Sequence, residues 1–436
     1  MQDSANPGLD RRGLLRLAGL AGTAAFLPGV SAATASAESV SAGTGAIAGS
    51  SSQATVYERM LGVRPLINAS GPVTALGGTL LSREVTAAMA EAGRHYVDLE
   101  ELYSVAGARL AKITKAQAAI VTSGAFAAMT MGAVACLAKG DPAKLDAVPH
   151  VSWPRREALI QRAHATPYDR AYRNAGMTIV YVKTEEELLA AIGEKTAMIA
   201  GWTNVEQLKQ PGTIPIERLI AIGKRSDVPV YLDASFSLNQ IPNIPSLWRY
   251  TEMGADLVGI SGGKGLHAPQ STGILAGRAD LIAGARAQMS PNPFGFGRGF
   301  KVDKEEIIGL LVALEQFMAR DHEALHRRNL KRVDLMRTVL RDIPGLRYGF
   351  DDAFFGPGLI LMWDEAQLRL SYDEFMKQMR ESKQPIVVRM ATGPTPYFIA
   401  DVNGPALFVD SLNDGEEQVV AERAREILLA SRQAHA

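Results

Sequence analysis

The stretch Val258–Leu275 reads VGISGGKGLHAPQSTGIL. An apolar run over 256–260 gives way at Ser261-Gly262-Gly263-Lys264 to a glycine-rich, proline-bearing loop, and a second apolar run follows over 273–276. Read as a buried strand, a turn and a further apolar segment, this places one lysine amine where the chain leaves a sheet. An ammonium there loses hydration, its pKa falls, and the neutral amine becomes a nucleophile. The Gly-Gly-Lys-Gly string invites comparison with the phosphate-binding P-loop, which needs glycine six residues before the lysine and Ser or Thr after it. Those positions hold Val258 and Gly265, so the comparison fails on both counts.

N-terminal to this stretch, short apolar segments alternate with helical patterns. Strands are predicted at 66–68, 118–121, 158–160, 178–182, 197–200, 229–232 and 257–260. Helices are predicted at 81–93 (with Ser82 as N-cap), 98–113, 125–138, 168–175, 185–192, 214–224 and 247–254. Such alternation argues an α/β fold whose mostly parallel sheet is covered on both faces. Ligands of such sheets collect at the carboxyl ends of strands. Ser123, Asp233 and Lys264 each lie just past a strand end. The pattern over 303–328 predicts one long helix, with apolar residues at Ile307, Leu310, Leu311, Leu314 and Phe317. It bridges a large domain, 56–302, to a smaller α+β domain, 329–436. The smaller domain has predicted strands at 359–362, 386–390, 397–400 and 406–409, and helices at 372–382 and 416–430.

Lys plus Arg and Asp plus Glu both number 46, so the chain lacks the basic excess of a nucleic-acid binder. Cys136 is the single cysteine and sits in the apolar run MGAVACLA, which rules out an internal disulfide and reads as a small buried hydrophobe. No H-E-x-x-H or clustered ligand set calls for a metal, and no G-x-G-x-x-G follows the first strand. Residues 10–27 read DRRGLLRLAGLAGTAAFL: paired Arg11-Arg12, a modest apolar stretch, then Ala-x-Ala patterns. This resembles a twin-arginine (Tat) export signal over 1–37, followed by a flexible linker over 38–55. The expectation is export of a folded protein to the periplasm or beyond. The apolar segment is too short for a stable membrane anchor.

Lysine, a serine-glycine turn opening a helix, and a strand-end aspartate together match what pyridoxal 5′-phosphate (PLP) needs from a protein. Lys264 supplies the amine for a Schiff base. Ser123 and Gly124, with Ser261, supply an anion cup for the phosphate. Asp233, in VPVYLDAS and 31 residues before Lys264, would keep the pyridine nitrogen protonated. His164, in LIQRAHATPYD, is the candidate flat group over the ring. His267 and Arg389 are candidate substrate contacts, Arg389 for a carboxylate. Each has a structural alternative: a turn cap for Asp233, a turn residue for Ser261, a satisfied core histidine for His164, a salt bridge for Arg389.

The segments INASGPVTALGG, AGARLAKITKAQAAIVTSGA, EALIQRAH, VYLDAS and GADLVGISGGKGLHAPQSTGILAGR, with FGRGFKVDKEEIIGLLVALE, resemble the selenocysteine-synthase-like group of fold-type I PLP-dependent enzymes. The resemblance is closest to its shorter, tRNA-independent members of the D-glucosaminate-6-phosphate ammonia-lyase type. It implies an aspartate-aminotransferase-like large domain, PLP held by Lys264, Asp233 at the ring nitrogen, and phosphate contacts from Thr122-Ser123-Gly124 and Ser261. It also implies a homodimer or higher oligomer. Lyase-like members tend to carry arginine where this chain has Ala165, a departure that bears on anionic substrates. An exported enzyme meets no seryl-tRNA.

The expected activity is α,β-elimination at the α-carbon of an amino acid or amino sugar acid, releasing ammonia and a keto acid. Racemisation or epimerisation and transamination are the alternatives, and a non-catalytic exported PLP-fold binding protein is a further one.

Overall fold

The computed structural model describes residues 54–208, 210–239, 244–393 and 402–433. The expected signal, nearly all of the linker and the expected strand at 397–400 lie outside them. Residues from Thr55 onward form one compact unit.

A two-residue strand, β1 (Ile67–Asn68), precedes the central sheet. That sheet consists of β2 (Ala118–Thr122), β3 (Glu157–Gln161), β4 (Thr178–Val182), β5 (Thr196–Trp202), β6 (Val230–Asp233), β7 (Leu257–Ser261) and β8 (Gly273–Gly277). Its order is β2-β8-β7-β6-β5-β3-β4, parallel except for β8, which runs antiparallel to both neighbours. The α/β expectation holds. β5 and β7 are buried at every position, as strands covered on both faces must be. Val121, Leu159 and Leu232 pack into the core on one face, and Ile120, Ile160 and Tyr231 into that on the other.

The helix Gly124–Ala138 explains its own sequence. GAFAAMTMGAVACLA has no polar face, and from Ala127 to Ala138 it is buried all round. Small residues let it lie close to the sheet. A Cβ on Gly132 would come within 2.9 Å of the Tyr231 ring.

The stretch 303–328 is not one helix. It breaks at Arg320, whose backbone is extended, into Lys304–Ala319 and His322–Leu340. Asp321 caps the second helix, its carboxylate accepting the Ala324 N–H at 2.8 Å, and His322 Nε2 donates to the Phe317 carbonyl at 2.8 Å. Polar side chains thus satisfy helix ends that would otherwise stay unpaired.

The C-terminal layer is a four-stranded antiparallel sheet of β9 (Arg347–Asp351), β10 (Gly358–Met362), β12 (Arg389–Thr392) and β13 (Asn403–Phe408), in the order β12-β13-β10-β9. β11 (Ile386–Val387) instead pairs in parallel with β1. Ile67 and Ala69 therefore pack in the core of the C-terminal region, and the N-terminal strand is grouped there rather than with the large domain.

Candidate active site

Strand register assembles the site. Thr122 pairs with Gly273, Gly273 with Ser261, and Gly259 with Asp233. Because β8 runs antiparallel, its first residue lies at the same sheet edge as the last residues of β2 and β7. The ends of β2, β6 and β7 deliver the serine-glycine turn, Asp233 and Ser261 to one place.

A cavity of about 430 Å³ opens there. Its walls include Gly124, Ala125, Phe126, Asp233, Ser235, Ser261, Gly263 and Lys264. Phe355 and Arg389 reach it from the C-terminal region, and Pro72, Val73, Thr74 and Gly78 from the N-terminal segment. The N-terminal loop is fastened to the lysine loop, since Gln270 Nε2 donates to the Thr74 carbonyl at 3.1 Å.

The lysine loop is folded tightly on itself. Gly262 N–H donates to the Thr272 carbonyl at 2.8 Å, and a Cβ on Gly262 would sit 2.1 Å from Thr272 Oγ1. Lys264 Nζ lies 3.5 Å from the centre of the Phe236 ring. Burial pulls this amine down to about 8, with the Asp233 carboxylate pulling the other way. Burial likewise raises the Asp233 carboxyl, opposed by Lys264 and by hydrogen bonds from Ser235, whose N–H reaches Asp233 Oδ1 at 2.9 Å.

The residues fit PLP. Gly124 has φ +82°, which an L side chain rarely adopts, and a Cβ there would meet nothing within 4 Å, so open space lies ahead of the helix. Ser123 does not cap that helix with its hydroxyl, and the first N–H groups remain for an anion. Ser261 stands across from them on the wall. Thr122 Oγ1 donates to the Gly124 carbonyl at 3.0 Å and so shapes the turn.

Two expected residues lie off the wall of this cavity. His164 is not among its lining residues. The Trp202 N–H donates to its Nδ1 at 3.1 Å, and its Nε2 donates to the Ile214 carbonyl at 2.8 Å. Burial lowers its pKa, these bonds opposing, and leaves a neutral core imidazole packed near Asp233 off the cavity wall. The flat groups on the wall include Phe126, Tyr168, Phe236 and Phe355. His267, with φ +56°, is turned away from Lys264's cavity; it bonds the Leu80 backbone and lies in the fields of Asp410 and Arg320. Its N–H donates to the Lys264 carbonyl at 2.9 Å, a fastening of the loop rather than a substrate contact. Arg389 does reach the wall, its guanidinium 4.0 Å from the Phe355 ring centre.

Sequence reading missed Phe126, Tyr168, Ser235, Phe236 and Phe355. Ser235 and Phe236 directly follow the strand-end aspartate, a signal that was present. Nothing in the sequence ties Phe355 to residues more than a hundred positions away.

Fold and site together define a fold-type I PLP-dependent enzyme. The family model described as L-seryl-tRNA selenium transferase matches residues 66–343, and the chain belongs to that family. It is 33% identical over 302 residues to a 5′-C-glycyluridine monooxygenase-decarboxylase from Streptomyces sp, covering 67% of this chain and 73% of that protein. It is 30% identical over 271 residues to the D-glucosaminate-6-phosphate ammonia lyase of Salmonella typhimurium, covering 60% and 70%. A solved D-glucosaminate-6-phosphate ammonia-lyase superposes with a TM-score of 0.72 at 25% identity, covering 87% of this chain and 99% of that one.

Proposed function

We propose that the chain is a PLP-dependent lyase that removes ammonia from an unphosphorylated amino acid or amino sugar acid by α,β-elimination. The observation that carries this reading is the convergence of Lys264, Asp233 and the open N-terminus of helix Gly124–Ala138 on one cavity. Lys264 would hold the cofactor through Nζ, Asp233 would face the ring nitrogen, and the amides of the Gly124 turn with Ser261 would hold the phosphate. When bound, PLP supplies an electron sink for charge developing at the substrate α-carbon.

The chain's own groups do the rest. Lys264 Nζ, which burial pulls down to about 8 in the cofactor-free protein, would serve as base for the α-proton of a bound substrate. The β-substituent leaves with its electron pair, and hydrolysis gives keto acid and ammonia. Arg389 holds the substrate carboxylate. Among the described residues the cations on the wall are Lys264 and Arg389. With those two cations committed, the aromatic and apolar walls suit a substrate without a phosphate group.

An amino acid and amino sugar acid panel in deuterated water tests the reaction. Keto acid and ammonia in equal amounts support elimination. Deuterium at the α-carbon without keto acid overturns it in favour of racemisation, and keto acid with amine transferred to the cofactor overturns it in favour of transamination.

We also propose that the twin-arginine segment directs export of the folded protein, which Arg11-Arg12→Lys-Lys should retain in the cytoplasm.

A further inference from the structure

Lys264 and Arg389, the cations on the cavity wall among the described residues, each lie over a phenyl ring. Lys264 Nζ is 3.5 Å from the centre of the Phe236 ring, and the Arg389 guanidinium is 4.0 Å from the centre of the Phe355 ring. So close to the centre, the amine must lie over the ring face. An approach in the plane of the ring would overlap the ring's own carbon and hydrogen atoms. The Phe236 and Phe355 rings meet edge to face, 5.8 Å apart at 84°. Phe354 meets Phe236 in the same way, at 6.3 Å and 71°. Phe236 is buried, so these neighbours fix the face that it turns to the amine.

This placement distinguishes the two charge states of the lysine. A neutral amine gains little from a ring face. An ammonium is drawn to the negative potential there, most strongly where water is excluded. Among the described residues no hydrogen bond engages Nζ, and Asp233, at the end of β6, acts on it through its field. Phe236 comes three residues after Asp233, and the chain between them is fixed by the bond from Ser235 N–H to Asp233 Oδ1. Three residues further on, Asn239 Oδ1 accepts the N–H of Gly265, next to Lys264, at 3.0 Å. The segment 233–239 thus brings a carboxylate and a ring face to one amine and is tied to the loop that carries it.

We propose that Phe236 is a catalytic residue whose ring face holds the ammonium that Lys264 forms when it takes the substrate α-proton. The C–H bond breaks and its electron pair stays on the substrate carbon. The proton bonds to Nζ over the ring until it passes to the departing β-group. That step rests on the elimination proposed above; the seating of the ammonium on the ring does not.

Competitive amine labelling of Lys264 in the full-length, cofactor-free protein tests the seating. Phe236 is replaced site-specifically by phenylalanines carrying one, two and three ring fluorines. Fluorine withdraws negative potential from the ring face and changes its bulk little. Each added fluorine should therefore move the Lys264 labelling plateau to lower pH, by about half to one and a half pH units over the series. Phe236→Leu should shift it in the same direction. A plateau that stays in place through the fluorine series overturns the proposal even if Phe236→Leu moves it, since lost bulk alters hydration of the amine as well. In the PLP-loaded enzyme the rate of α-proton loss from substrate should fall in the same order, and a rate that ignores the series overturns the catalytic role. A plateau that follows the series in a protein that forms no keto acid overturns the elimination and leaves the seating standing.

Discussion

Lys264 is an amine held mostly out of water, beside a carboxylate and against an aromatic ring. With a pKa of about 8, its neutral fraction climbs about tenfold between pH 7 and pH 9, then levels; an ordinary lysine would climb about a hundredfold with no plateau. Competitive labelling of the cofactor-free protein with an amine-reactive reagent should show the plateau at the Lys264 peptide. The same shift makes a stability prediction. Between about pH 8 and the usual lysine range the unfolded chain binds more protons than the folded one, so this group's contribution to stability rises with pH there. Denaturant unfolding of the cofactor-free protein across that window should show the rise, and Lys264→Met should remove it. For Asp233, Asp233→Asn should leave PLP binding measurable by absorbance yet lower kcat by about 10²–10⁴-fold, the range typical of a lost proton-handling group. These two residues were legible in the sequence because each follows an apolar run whose end is easily read. For His164, which also follows a strand, sequence does not say which way a side chain turns, and the backbone of Trp202 and Ile214 claims both its nitrogens.

At the scale of elements, the break in the 303–328 stretch was missed because no glycine or proline marks it. The signal was subtler, an aspartate three residues before an N–H it caps. Asp321→Ala should cost about 1 kcal/mol in chemical denaturation, the usual effect of losing an N-cap. The antiparallel β8 was legible as an apolar run but not in direction, although direction is what brings Gly273 level with Ser261 and Thr122. The lysine loop folds back so closely that Gly262→Ala should destabilise the protein by about 1–3 kcal/mol through crowding against Thr272, read as a shifted denaturation midpoint.

For the whole molecule, the cavity draws on the N-terminal segment, the large sheet and the C-terminal sheet at once. Those joins rest on pairings such as Ile67 with Ile386, which local patterns do not encode and which only a resemblance to known relatives could foreshadow. We propose, as the family resemblance implies, that the protein works as a homodimer or larger assembly, which would cover some of the exposed apolar residues such as Tyr57, Met60, Leu61, Tyr96 and Phe294. Light scattering should give at least twice the chain mass, and a monomer across the working concentration range would contradict that. The central claim is that Lys264 carries PLP. The direct measurement is borohydride reduction of the purified, PLP-supplemented protein followed by mass spectrometry of its peptides. The account predicts a yellow protein whose reduction fixes a pyridoxyl phosphate group on the Lys264 peptide, absent in Lys264→Ala. A colourless protein with PLP added, or a label fixed on another lysine, would contradict it.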